Sequence, residues 1–285
     1  MNKFVVYTAL ALIAFAFNSI LCRLALREGE ADAAGFTAVR LLSGAIALIL
    51  ISYFFSENAE SMKSGSWPSA FFLFAYALCF SFAYLGLTAG TGALILFGSV
   101  QMTMIAAAIV KGERPAMLEW LGLLIALGGL VYLVFPGLVS PPLVSSLLMA
   151  AAGMSWAAYT LRGKSSADPL GDTTGNFVRS LPMVAVVAIV FLPNLHLSAR
   201  GVVLAVLSGA VTSGVGYTVW YAALKFHTST RAAILQLAVP IIAAFGGVLL
   251  LDEALTVRLA IASALIVGGI ALTIGGRSPV SVART

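Results

Sequence analysis

Long apolar runs with almost no charge recur from one end of this chain to the other, and they leave it few folds. The first, Phe4 to Leu26, matches the ~20 residues a helix needs to cross roughly 30 Å of hydrocarbon. Inside hydrocarbon every backbone N–H and C=O must be satisfied internally. The short alternation of barrel strands is absent, so the runs predict α-helices. Composition agrees: 61% of the residues are hydrophobic and 9% charged, where soluble domains carry about 25% charge. The expected class is an all-α integral membrane protein. Ten spans are placed at roughly 4–26, 34–55, 68–87, 91–110, 116–135, 144–162, 174–192, 200–224, 231–251 and 256–275. The breaks have chemical reasons. Glu57 to Ser66 is polar, Pro136-Gly137 and Pro141-Pro142 separate spans five and six, and Pro193-Asn194 ends span seven.

The first run is too long and uniform for a signal h-region and lacks a small-x-small cleavage site, so it is expected to stay as span one. Cys22 and Cys79 both lie inside apolar runs and read as buried small hydrophobes rather than a disulfide or metal pair. The net charge of +5 does not point to nucleic acid, because the cations sit in connections between spans. Placing the N-terminus inside puts ten Lys and Arg on the cytoplasmic side, against Arg23, Arg27, Arg200 and Arg258 outside. Both termini are therefore expected in the cytoplasm, with the bilayer as the protein's surroundings.

The chain is also one unit written twice, as residues 1–141 and 142–285. Ala93-Leu94-Ile95-Leu96, the break Lys111-Gly112-Glu113-Arg114-Pro115 and Gly128-Gly129 return as Ala233-Ile234-Leu235, Asp252-Glu253 and Gly268-Gly269. Arg23 matches Arg162, Arg40 matches Arg179, and Tyr84-Leu85-Gly86-Leu87 matches Tyr221-Ala222-Ala223-Leu224. Five spans per copy is an odd number, so the second copy enters the membrane inverted. Inverted repeats are typical of secondary transporters, in which one half rocks against the other around a midplane site.

These paired hairpins, with Pro240 between Leu235 and Leu251 and the Tyr84 and Tyr221 endings before each, resemble the drug/metabolite transporter superfamily in its EamA-type tandem repeat. The resemblance covers nearly the whole chain. In length and aromatic-rich helices the chain is most similar to bacterial exporters of aromatic amino acids. One departure is Val100, which stands where the second copy has Pro240. The resemblance implies a ten-helix basket with a central cavity lined by spans one, three, four, six, eight and nine. Spans five and ten would pack outside, their double glycines allowing close approach.

Polar groups in hydrocarbon are expensive and invite a functional reading. Asn18 in span one and Gln101 in span four are the clearest, Gln101 offering both a donor and an acceptor to a zwitterion. Interhelical hydrogen bonding explains Gln101 equally and Asn18 better. Aromatic residues cluster at Tyr84, at Trp156 and Tyr159, and at Tyr217 and Tyr221, with Ser81 one turn before Tyr84. Rings with hydroxyl tips suit an amphipathic amino acid, and core packing is the plainer alternative. Arg40 and Arg179 lie inside helix ends and are expected to snorkel to the interface, the alternative being that they hold a carboxylate or an internal acid. Glu113 and Glu253 read as turn residues, and only Glu119, near the start of span five, keeps a carboxylate relay open. Pro240 and Gly214, in small-residue stretches of spans nine and eight, are the candidates for gating.

An enzyme has little to stand on. Gly153-Met154-Ser155-Trp156-Ala157 lacks the final glycine of a nucleophile elbow and lies in a helix. His196 and His227 fall in loops on opposite sides of the membrane, no residue set has metal spacing, and Gly90-Thr91-Gly92 follows no strand. The expectation is a monomeric exporter of amino acids, aromatic and apolar ones among them, in a bacterial inner membrane. It would work by alternating access and need no cofactor. Another metabolite or drug as cargo, or import, is the alternative.

Overall fold

The computed structural model describes residues 3–55, 64–110, 117–135, 140–163, 166–224, 235–236 and 238–275. The break Lys111 to Pro115 with its Glu113, the Pro136-Gly137 pair, His227, the segment Arg231 to Ile234 and the Glu119 side chain lie outside this description.

Helices account for the regular structure: α1 (Lys3–Arg27), α2 (Ala33–Phe55), α3 (Trp67–Ala83), α4 (Ala89–Val110), α5 (Met117–Val134), α6 (Leu143–Gly163) and α7 (Pro169–Val190) come first. Then α8 (Ala199–Val206) runs through a π-helical segment, Leu207–Val215, into α9 (Gly216–Leu224), followed by α10 (Ala238–Leu251) and α11 (Val257–Gly275). Among the described residues, six helical stretches are long and apolar enough to cross a membrane: Val5–Arg27, Ala33–Phe54, Ala89–Ala107, Leu143–Gly163, Pro169–Val190 and Ala199–Ala223. Trp67–Ala83, Trp120–Leu133, Ala238–Leu251 and Val257–Leu272 are apolar but shorter. Exposed side chains such as Leu42, Ile46 and Leu50 recur every four residues on α2 and form the stripe a lipid-facing helix requires.

The helix starts follow from local chemistry. The first amides of a helix lack carbonyl partners, and a short polar side chain just ahead supplies one. Asp32 accepts from the Gly35 amide at 2.8 Å, Ser66 from Ser69 at 3.3 Å and Thr88 from Thr91 at 3.3 Å. In the second half Asp168 accepts from Gly171 at 3.0 Å, Ser198 from Gly201 at 2.9 Å and Thr256 from Leu259 at 3.1 Å. Between α10 and α11 the chain reverses through Asp252, whose φ of 50° is left-handed. A short polar residue tolerates that conformation because its side chain can bond locally.

The packing puts α1 against α9 and α10, α6 against α3 and α4, α2 against α7 and the π-helical segment, and α5 against α11. The last pair explains half of each double glycine. A Cβ on Gly269 would stand 2.6 Å from the Ala126 amide and the Gly122 carbonyl, and one on Gly129 2.7 Å from Leu265. Nothing lies within 4 Å of a Cβ on Gly128 or Gly268. Gly269→Val is therefore expected to lower the thermal unfolding midpoint in detergent by several degrees, as overpacking costs about 1–3 kcal/mol. Gly268→Val, one residue away, should leave it within about a degree, as open surface sites do.

Candidate functional site

Where α1, α3, α4, α6 and α9 converge, a small cavity is walled by Phe15, Asn18, Tyr76, Phe80, Leu96, Phe97, Trp156 and Tyr217. Its free space is about 10 Å³, near the minimum for a single water, so the site is closed. The rings form one cage. Phe15 meets Trp156, Tyr217 and Trp220 edge-on at 6.0, 5.9 and 5.5 Å, and Trp156 lies 5.0 Å from Tyr76 and 4.8 Å from Tyr217. Such edge and tilted contacts add to what burial alone contributes. Helical spacing places them: Phe15 and Asn18 are three apart on α1, and Tyr76 and Phe80 four apart on α3, so each pair shares a face.

Polar groups line one side of the cage. The Asn18 amide donates to the Tyr76 hydroxyl at 3.2 Å, and its carbonyl oxygen accepts from Ser208 at 2.6 Å and Thr212 at 3.2 Å. Ser208, Thr212 and Ser213 all belong to the π-helical segment, whose wider turn brings three hydroxyls toward α1 and α2. π-segments inside helices are frequent at functional sites. This segment occupies the small-residue run that the sequence marked for bending.

Behind the wall lies Arg40. It does not reach the interface: its relative exposure is 1%. The expectation that it snorkels is wrong, because α2 at this depth is enclosed by α3, α7 and the π-helical segment. Its Nε donates to Ser213 at 3.3 Å and Nη2 to the hydroxyls of Tyr76 at 3.0 Å and Tyr217 at 3.4 Å. The guanidinium also stacks over the Tyr76 and Phe80 rings, at 5.2 and 5.0 Å from their centroids. Nη1 has no partner among the described residues, and no described carboxylate is in ion-pair range. Arg179, its counterpart in the repeat, instead points toward an end of the bundle, where Nη1 donates to the Ser64 carbonyl.

The two ends of the bundle differ. At one, Arg23 of α1 pairs with Glu253 of the α10–α11 turn at 3.2 Å and donates to the Tyr84 carbonyl at 2.9 Å. Glu253 accepts in turn from the Ala89 amide at 2.8 Å, and Arg27 donates to the Leu251 carbonyl. Beside this closure Asp32 holds the His196 amide at 2.7 Å, and Ser198 donates its amide to the Glu30 carbonyl at 2.8 Å. At the other end a polar recess of about 350 Å³ lies among Ser66, Ser69, Tyr159, Arg162, Asp172, Asn176 and Tyr221. Arg162 donates to Ser69 at 3.0 Å there, and Asp172 and Asn176 accept from the Gly65 and Ser66 amides at 2.8 and 2.9 Å.

The residues singled out in the sequence do not share one place. Asn18, Trp156 and Tyr217 meet at the central cavity, while Tyr159 and Tyr221 line the recess. Ser81 is buried behind the cage, donating to the Ala77 carbonyl at 3.0 Å and accepting from Thr37 at 2.8 Å. Tyr84 belongs to the Glu253 end, its ring pressed over Gly92 and its hydroxyl donating to the Ala89 carbonyl at 3.3 Å. Gln101 is buried in α4, four residues beyond the cavity-lining Phe97, and is not itself among the lining residues. Of the gating candidates, Gly214 lies in the π-helical segment and Pro240 is buried near the start of α10. The described residues of span nine, α10 among them, supply none of the cavity lining, unlike the expectation. Phe15, Tyr76 and the π-segment hydroxyls were missed, although the i, i+3 and i, i+4 spacings Phe15–Asn18 and Ser208–Thr212 carry the signal. Among the described residues no cluster of His, Cys, Asp or Glu is suited to a metal.

Comparison with known proteins gives a consistent picture. The sequence model of the EamA-like transporter family matches residues 2–135 and again 143–275. An uncharacterized protein of Pseudomonas aeruginosa is 47% identical over 270 residues, covering 95% of this chain and 94% of its own. An uncharacterized transporter of Archaeoglobus fulgidus is 27% identical over 67% of this chain and 70% of its own. The uncharacterized transporter YoaV of Bacillus subtilis is 21% identical over 82% of this chain and 85% of its own. A solved crystal structure superimposes with a TM-score of 0.67 at 20% identity, over 94% of this chain and 95% of that one, and so shares the fold.

Proposed function

Because the chain belongs to the EamA-like transporter family, we propose that it exports amino acids, aromatic and other apolar ones among them, by alternating access. It would do so as a monomer in a bacterial inner membrane, with ten spans built as two inverted repeats of five, residues 1–141 and 142–285. Two observations support the repeat: the family model fits once in each half, and α1 packs on α9 and α10 as α6 packs on α3 and α4. By the distribution of Lys and Arg the Asp172 end is cytoplasmic. The recess then faces the cell interior while the Glu253 end is shut, an arrangement that admits cargo from the cytoplasm.

The observation that carries the substrate class is the aromatic cage with its polar side, held between the two halves. Six rings exclude water from an apolar side chain, and the hydroxyls and amide of Tyr76, Tyr217 and Asn18 offer hydrogen bonds to a polar head. Gln101, Ser81, Tyr84, Tyr159 and Tyr221 would meet cargo only when the helices move, with Gly214 and Pro240 accommodating the motion. Lysine finds no described carboxylate at the cage and is not expected as cargo.

Proteoliposomes preloaded with unlabelled amino acid should accumulate the labelled form by counterflow, saturably for Phe and Met and not for Lys. Trp156→Ala should lower Phe counterflow at least about tenfold, since truncating a buried aromatic at a ligand contact commonly costs 2 kcal/mol or more. No counterflow with any amino acid, from protein shown to be folded, would sink this substrate assignment and leave the family standing.

A further inference from the structure

We propose that Arg40 is the anion-recognition residue of the central site, so that the cargo is selected by its carboxylate and its amino group is dispensable. The inference rests on the transport reading of the cavity and narrows it. It starts from charge. A guanidinium never loses its proton in a protein, and a full charge in a membrane interior is costly enough to mark function by default. Here the charge is buried at 1% exposure, and what holds it is neutral: the Ser213, Tyr76 and Tyr217 hydroxyls and the faces of Tyr76 and Phe80.

The described acids lie elsewhere. Glu28, Glu30, Asp32, Asp252 and Glu253 occupy the Glu253 end, and Asp168 and Asp172 the opposite one. Among the described residues, then, the site carries one positive charge without a counter-charge in reach. One arm of the fork, Nη1, has no acceptor among the described residues. A carboxylate is the group whose two oxygens fit such a fork, and the pair is strongest where water is excluded.

Position completes the argument. Tyr76, Phe80 and Tyr217 are at once cavity wall and Arg40 partners. An incoming carboxylate that displaces the two phenol hydroxyls reaches Nη1 and Nη2 together while the ring cage keeps the apolar body. An ammonium finds the opposite situation. It would approach a fixed cation, and the Asn18 carbonyl oxygen, the acceptor on the cage's polar side, already takes bonds from Ser208 and Thr212. The preferred ligand is thus an aromatic or apolar monocarboxylate, with the amino acid one member of that class and the deaminated acid at least as good.

The test is a ligand series read by tryptophan fluorescence of purified protein, because Trp156 lines the cavity and Trp220 contacts Phe15, with counterflow in parallel. 3-Phenylpropanoate and phenylalanine are expected to bind wild-type protein, 3-phenylpropanamide about tenfold or more weaker than its acid, and phenethylamine weakest. In Arg40→Gln the acid-to-amide binding ratio should fall about tenfold or more, toward one, a change that a structural arginine would not produce. Arg40→Lys should keep part of the discrimination, and it serves if Arg40→Gln does not fold. Equal binding of phenethylamine and 3-phenylpropanoate to wild type, or no binding of any acid, overturns the proposal. So does an acid-to-amide ratio unchanged in the variants. Binding of 3-phenylpropanoate without phenylalanine sinks the amino acid assignment and leaves the carboxylate site. Phenylalanine counterflow with unchanged discrimination in the variants does the reverse.

Discussion

Gly209→Ala is expected to destabilise the folded protein by at least about 2 kcal/mol, more than most overpacking substitutions, and Gly214→Ala, five residues on, by almost nothing. Both glycines lie in the π-helical segment. A Cβ at Gly209 would overlap the Arg40 carbonyl oxygen and Ser43 Oγ, and neither a carbonyl in α2 nor the backbone behind it can swing aside. A Cβ at Gly214 finds its nearest atom, the Gly209 carbonyl oxygen, at an ordinary 3.4 Å. Alanine also favours helix over glycine by about 1 kcal/mol, so Gly209→Ala must lose more in contact than it gains in propensity. The segment would have to retreat from α2 and take Ser213 away from the guanidinium that it holds at 3.3 Å. Unfolding midpoints of the two variants in one detergent decide the matter; equal midpoints would show that α2 and the π-segment are not in the contact described. Transport then separates stability from motion. Gly214→Ala at wild-type midpoint but with slowed counterflow would mark Gly214 as a moving part, and unchanged flux would remove it from the gating set.

What the chain reveals on reading and what it hides divide along a physical line. Apolar length, prolines at breaks and Asp, Ser or Thr at helix starts are local properties, so the helices and their caps are legible before any packing is known. The glycine pairs were legible as contacts too, though not that Gly129 and Gly269 alone make them, since that depends on the rotation of α5 against α11. Arg40 shows the opposite case. Seven residues from the start of α2 it is about 10 Å from that end, within a side chain's reach of water, and Arg179 at the matching position of α7 does reach an end loop. Only the helices closing around α2 turn Arg40 into an interior charge. Tyr84 was singled out for a hydroxyl in an apolar run. Its place at the helix end, over Gly92, makes it part of a closure instead. Glu253, read as a turn residue, joins four elements in that closure, and nothing local to Asp252-Glu253 announces a partner 230 positions away.

Glu253→Gln should therefore shift the protein toward a state open at that end, with Cys22 reporting it. In the proposed cycle the Arg23–Glu253 pair exists only while the Glu253 end is closed, so whatever it contributes stabilises that state alone. Its side chains are 16% and 8% exposed. Breaking a fully buried pair by removing one partner costs about 3–5 kcal/mol. Partial exposure lowers this to about 2 kcal/mol, or roughly thirtyfold in the balance of states. Cys22 precedes Arg23 on α1 and is fully buried in the closed arrangement, whereas Cys79 is partly exposed. With Cys79→Ser as parent, a bulky maleimide should label Cys22 about ten times or more faster in Glu253→Gln. Adding Arg23→Gln should change the rate little further, because the two substitutions remove one interaction. Equal labelling of parent and Glu253→Gln would mean that the pair holds a static turn, and the closure would then depend on the Arg27 side-chain bond to the Leu251 carbonyl and on the Ala89 amide, which a glutamine at 253 can still accept.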